Sequence, residues 1–132
     1  MLIVVSQPRY LPSVNYLQRL YFSDVFVLLD NVQRQSRGFE NRNKLLTPDL
    51  KWLSIPIESS NREVIFNTKI SEKNEWIGNH KKIIRQFYSK HPYFDQELLD
   101  EWYKDLEFSN NFTSVMEKFL KNVCQTLGFE PN

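Results

Sequence analysis

The apolar positions change rhythm once along the chain. In the first part they form short unbroken runs, Leu2-Ile3-Val4-Val5 and Val25-Phe26-Val27-Leu28-Leu29, set between polar and proline-containing stretches. In the second part they recur every three or four residues. A run of four or five consecutive apolar side chains leaves no polar face, so the two runs predict parallel strands buried on both sides. Ser13 to Phe22 lies between them and is long enough for one crossover helix. The result is a strand–loop–helix–strand unit, which takes its ligands at the carboxyl ends of the strands. Gln7-Pro8-Arg9-Tyr10-Leu11-Pro12 follows the first strand and Asp30-Asn31-Val32-Gln33 follows the second. The two loops should converge on one crevice.

Further along, Asn43-Lys44-Leu45-Leu46 is expected to pair with Lys51-Trp52-Leu53-Ser54-Ile55-Pro56 across the turn Thr47-Pro48-Asp49, and Phe66 to Ile70 reads as another short strand. The helical rhythm then takes over. Trp76, Ile77, Ile83, Ile84, Phe87 and Tyr88 mark one helix, ended by Pro92, which lacks a backbone donor and disfavours helix at His91. Phe94, Leu98, Leu99, Trp102 and Leu106 mark a second, shorter one. Phe112, Val115, Met116, Phe119, Leu120, Val123 and Leu127 mark a third, with Asn110 or Asn111 as its cap and Gly128 closing its end. These stripes are packing faces. The fold class they define is α/β: a small, mostly parallel sheet opened by the strand–loop–helix–strand unit, with a helical C-terminal half. Residues 1–132 are read as a single domain, strand- and loop-rich over 1–70 and helical over 73–128.

Composition narrows the function classes. Seventeen basic and 16 acidic residues leave a formal charge of +1, so bulk electrostatics do not point to nucleic acid or to an anionic membrane surface. A basic face of Lys81, Lys82 and Arg85, with the Arg34–Lys44 loop, is the feature a nucleic-acid reading would use; the balanced charge weighs against it. The single cysteine, Cys124, allows no internal disulfide and fits a reducing cytoplasm. No apolar run is long enough to span a membrane, and the N-terminal run has no basic region before it.

Candidate chemistry concentrates between Asp30 and Lys44. Arg34, Arg37, Arg42 and Lys44 face only Asp30 and Glu40 in that stretch, in a chain otherwise balanced. Arginine forks grip phosphate or carboxylate in a bidentate way. Asn41-Arg42-Asn43 sets a cation between two amides, a mixture suited to phosphate and sugar hydroxyls together. Gln7, Arg9, Tyr10 and Gln33 join Arg37, Asn41, Arg42 and Asn43 as candidate substrate-binding residues, with Pro8 and Pro12 stiffening the first loop. Asp30, at a strand end, or His80, one helical turn after Trp76, is the candidate catalytic acid–base. Two isolated histidines at no ligand spacing make no metal site, and there is no glycine-rich phosphate loop among only three glycines. No cofactor is indicated.

In this order the motifs resemble the WbqC-like protein family. The pieces are Gln7-Pro8-x-Tyr10-Leu11-Pro12, Tyr16-Leu17, Asp24-Val25-Phe26-Val27, Asp30-Asn31-Val32-Gln33 and Arg37-Gly38-Phe39-x-Asn41-Arg42-Asn43. Trp52-Leu53-x-Ile55-Pro56, Trp76, His80-Lys81, Tyr88 and Pro92-Tyr93-Phe94 continue the match, which covers about residues 1–95. Arg9 stands where such proteins often carry histidine, and Val14-Asn15 replaces a bulky-residue–glycine pair. The resemblance implies a cytoplasmic bacterial protein of surface-polysaccharide or O-antigen biosynthesis. It implies a transferase that moves an acyl or aminoacyl group to a nucleotide-linked amino sugar, with the nucleotide sugar and the group donor as its small-molecule partners. It also implies a longer chain, so these 132 residues are expected to correspond to the first part of a full-length member. The alternative is a module that binds a sugar nucleotide or a partner without turning it over. The opening unit also looks like that of HIGH-type nucleotidyltransferases, but its loop contains no histidine to hold phosphates in their style.

Overall fold

The computed structural model describes residues 1–58, 62–71 and 75–132. Strand β1 (Ile3–Ser6) leads through the Gln-Pro loop into helix α1 (Val14–Phe22) and back to strand β2 (Val25–Leu28). β1 and β2 pair in parallel, with Ile3 opposite Val25 and Ser6 opposite Leu28. The crossover therefore has the length and course its sequence predicts.

Strands β3 (Arg42–Lys44) and β4 (Trp52–Ser54) form an antiparallel hairpin. Its turn is held by the Lys51 amide on the Thr47 hydroxyl at 2.9 Å and by Leu45 N–H on the Lys51 carbonyl at 2.8 Å. β5 (Ile57–Glu58) pairs antiparallel with β6 (Lys69–Ile70), which follows a 3₁₀ turn at Ile65–Asn67. The strands thus form three separate two-stranded ladders, and only the first is parallel. The class is mixed α/β, with the parallel pair at its start.

The second half is helical: α2 (Glu75–Tyr88), α3 (Gln96–Trp102) and α4 (Phe112–Thr126). The first expected helical positions, 73 and 74, lie outside the described residues. Caps set the remaining ends. Asp95 accepts from the amides of Glu97 and Leu98 at the start of α3, and Asn111 accepts from the Ser114 amide at the start of α4. Gly128 closes α4 at φ +84°, a conformation that costs a side-chain-bearing residue free energy.

α4 is the axis of the packing. Phe112, Val115, Met116 and Phe119 enter a large core with Tyr10, Leu53, Trp76 and Leu99, while Leu120 and Cys124 enter a smaller one with Tyr16 and Leu20 of α1. Phe26 and Leu28 pack on that smaller core. The expectation that both opening strands are buried on each side is not met. Ile3, Val5, Val25 and Val27 are between 37 and 53% exposed, because α1 and α4 cover one face of the ladder and no described element covers the other.

Candidate functional site

The Gln-Pro loop is fixed from both sides. Pro8 and Tyr10 are buried, and the Tyr10 N–H donates to the Glu40 carbonyl at 3.1 Å. Gln7 is half-buried, its carbonyl accepting from the Tyr16 hydroxyl at 3.0 Å. Leu11 sits in the left-handed region at φ +46°, a strained setting for a branched side chain. Asn43 of β3 holds it there, donating its side-chain amide to the Leu11 carbonyl at 2.6 Å. The Gln-Pro loop therefore meets the chain at Glu40 and at Asn43 of β3, and not at the Asp30–Gln33 stretch expected to converge with it.

The Tyr10 ring reaches into the core instead of the crevice. Its hydroxyl is 2.8 Å from His80 Nδ1 and also bonds the Tyr103 hydroxyl, while His80 Nε2 lies 3.0 Å from the Ser54 carbonyl. A carbonyl only accepts, so Nε2 carries the ring proton. Burial pushes the imidazole pKa down to about 4, so the ring is neutral near pH 7 and Nδ1 is a bare acceptor. Tyr10 must then donate to Nδ1, and Tyr103 must donate to Tyr10. Burial raises the pKa of both phenols, keeping them protonated. The three rings form a closed, one-directional network in which both His80 nitrogens are engaged.

At the surface the same loops build an aromatic, cationic ledge. The Arg42 guanidinium lies 4.2 Å from the centre of the Trp52 ring, and the Lys44 ammonium 5.0 Å from it. Phe39 packs on Trp52 at 5.7 Å, and Arg9 lies over Phe39 at 5.9 Å. Alternation along β3 puts Arg42 and Lys44 on one side of the strand and Asn43 on the other. Arg42 is oriented by its Nε–H on the Gly38 carbonyl at 3.1 Å. A Cβ on Gly38 would fall on the buried Glu40 carboxylate, so only glycine fits there without moving it. Among the described residues none of Arg9, Arg42 and Lys44 forms an ion pair.

Behind β3 lies a cleft of about 580 Å³. Leu11, Pro12 and Leu17 form one wall, Leu45, Ile84 and Tyr88 another, and Leu98, Trp102, Phe119 and Val123 of α3 and α4 the rest. Asn43, Lys44, His91 and Asp95 supply the polar part of its lining. Lys44 belongs to both cleft and ledge.

Of the sequence-derived candidates, Arg9 and Arg42 come together on the ledge and Asn43 lines the cleft. Asn41 donates to the Ile55 carbonyl at 2.9 Å and so ties the strand preceding the hairpin. Arg37 is exposed in the loop. Gln33 donates to the Arg62 carbonyl and bridges to Val64, and the Asp30 carbonyl accepts from the Phe66 amide. Asp30 and Gln33 thus lie with the 62–67 segment and do not line the cleft. Trp52, Tyr103 and the α3 and α4 side of the cleft are not among the sequence-derived site residues. The alternation of Arg42 and Lys44 opposite Trp52 across a proline turn is a readable signal; the partnership of Tyr103 with Tyr10, 93 positions away, is not. Among the described residues no helix is long and apolar enough to cross a membrane, and no group of three or more histidine, cysteine or acidic side chains is placed to hold a metal ion.

Fold and site together define a mixed α/β protein whose Gln-Pro loop and Asn-Arg-Asn strand frame a ligand-sized cleft. The family model of the WbqC-like proteins matches residues 7–132, and the chain belongs to that family. It is similar to the uncharacterized protein Rv1507c of Mycobacterium tuberculosis, with 25% identity over a 134-position alignment that covers 96% of this chain and 56% of the relative. The chain therefore spans a little over half the length of that curated relative. No solved structure matches it.

Proposed function

We propose that this chain carries the ligand-binding part of a transferase that moves an acyl group onto a nucleotide-linked amino sugar in surface-polysaccharide synthesis. The observation that carries the reading is the shared strand β3, which supplies Arg42 and Lys44 to the cationic ledge and Asn43 and Lys44 to the apolar cleft. A polar, phosphate-bearing portion and a hydrocarbon portion would bind on the two sides of one strand.

Arg42 stacked on Trp52, with Arg9 on Phe39, presents guanidinium groups free of ion pairs among the described residues, as a diphosphate requires. The exposed faces of Phe39 and Trp52 suit a base or a sugar ring. Gln7 follows directly on strand β1, two residues before Arg9, and would add a polar group on that side. The cleft has the volume of a typical small-molecule site, and each methylene it removes from water contributes about 0.8 kcal/mol. An acyl group suits the cleft, whose lining is mostly apolar and carries one carboxylate among the described residues, that of Asp95. His80 takes no proton in this reading, since both its nitrogens are bonded inside the core.

The test is a thermal-shift panel of nucleotide sugars and coenzyme A thioesters of increasing chain length, followed by a turnover assay with the pair that binds. A ligand at about 100 times its Kd adds about 2.7 kcal/mol of stability. Both classes should stabilise, the thioesters more with each added methylene. Absence of a shift with either class would overturn the reading. Binding of both without product exceeding the protein added would reduce it to a binding module.

A further inference from the structure

The face of the β1–β2 ladder that α1 and α4 leave uncovered is wholly apolar. Ile3 stands opposite Val25 and Val5 opposite Val27, so the four side chains form one compact patch. A parallel ladder is ordinarily covered on both faces, and a two-stranded ladder is marginal without neighbours. The outer edge of β2 is itself engaged. The Phe26 N–H donates to the Asn132 carbonyl at 2.8 Å, placing backbone where a third strand would run. Phe129 leads the chain to that point by packing on the smaller core and against Tyr21 at 5.2 Å.

We propose that this face and the β2 edge are the docking surface for an extended, alternately apolar segment carried by the other half of a full-length family protein. That half would continue the ladder beside β2 and lay a further apolar layer over Ile3, Val5, Val25 and Val27. The matched region is 56% of the Mycobacterium relative, so such proteins possess the additional polypeptide the surface requires. The Asn132 carbonyl, bonded to the Phe26 N–H, shows that this edge accepts an extended backbone. The inference is independent of the transferase reading, because it concerns the opposite side of the ladder from the core that supports the cleft.

The experiment combines the 132-residue chain carrying Val27→Cys with the portion of the Mycobacterium relative outside the match, supplied both as a separate polypeptide and joined after Asn132. Maleimide labelling of the new thiol is measured, with buried Cys124 as the unreactive background. Labelling slowed at least tenfold in the joined chain, and a one-to-one complex in sedimentation that Val5→Lys with Val25→Lys abolishes, are the results expected. An equally reactive thiol in the joined chain would overturn the proposal. So would a chain that sediments alone as a dimer broken by the same lysines, which would make a second copy the occupant.

Discussion

Asn43 and Leu11 are joined by a 2.6 Å hydrogen bond from a side-chain amide to a carbonyl whose residue sits at φ +46°. The bond fastens the loop after β1 to β3 and keeps the mouth of the cleft in one shape.

Asn43→Ala should therefore destabilise the protein by about 1–3 kcal/mol, the cost of leaving the partner carbonyl unsatisfied and the strain uncompensated. Urea unfolding followed by circular dichroism measures it. The loss should exceed that of Asn41→Ala, whose bond at 2.9 Å holds an unstrained carbonyl. Equal losses would show that Leu11 stores no strain.

His80 makes stability depend on pH. The unfolded imidazole binds a proton below about pH 6.5, whereas the buried folded ring does so only near 4. Between those values the unfolded state holds more protons, so the stabilisation is complete above pH 6.5 and is lost as pH falls toward 4. The difference is on the order of 3 kcal/mol. Unfolding free energies at pH 7, 5.5 and 4 should show this slope in the parent and lack it in His80→Gln, with exposed His91 common to both.

Gly38→Ala brings a methyl group onto the carboxylate of Glu40, which is only 2% exposed and must shift to admit it. A penalty of about 1–3 kcal/mol is expected. Because Arg42 is oriented by the Gly38 carbonyl, the variant should also weaken anion binding at the ledge. Isothermal titration with a nucleotide diphosphate reads that effect directly, and unchanged affinity would detach Gly38 from the site.

Two variants should separate the halves of the proposed site. Arg42→Ala removes a charged contact worth about 1.5–3 kcal/mol and should weaken nucleotide-sugar binding about ten- to a hundredfold, leaving the thioester chain-length trend intact. Leu98→Trp, on the half-buried wall of α3, should do the reverse by filling the cleft. Thermal shifts with both ligand classes measure the pair. Parallel losses in both variants would mean that ledge and cleft are not separate subsites.

Much of the fold was legible because its signals are local. The stripe from Phe112 to Val123 has a helical period, Asn111 is one of the two residues expected to cap it, and the turn at Thr47-Pro48-Asp49 announces the β3–β4 hairpin, whereas the Asp95 cap of α3 went unread. Burial of the opening strands was misread because an unbroken apolar run looks alike whether the second face meets a helix or solvent; Ile3 and Val27 meet solvent. The ledge was half legible: Arg42 and Arg9 stood out by charge, but Trp52 gained its meaning only from register with Lys44. Tyr10 and His80 were both singled out, yet their mutual bond spans 70 residues and its third member, Tyr103, lies in no motif. Pairings of that range depend on how α2 and α3 pack, which no local pattern encodes.

The three tryptophans fall in three different settings: Trp52 is 39% exposed under its two cations, Trp102 stands in the cleft wall, and Trp76 is sealed in the core. The protein consequently carries its own optical reporters. Iodide should quench Trp52 before the others, a phosphate ligand that draws Arg42 and Lys44 off its ring should change its emission, and a hydrocarbon ligand should shift Trp102 to the blue. Trp76 supplies a constant background against which occupancy of each half can be followed in solution without any label.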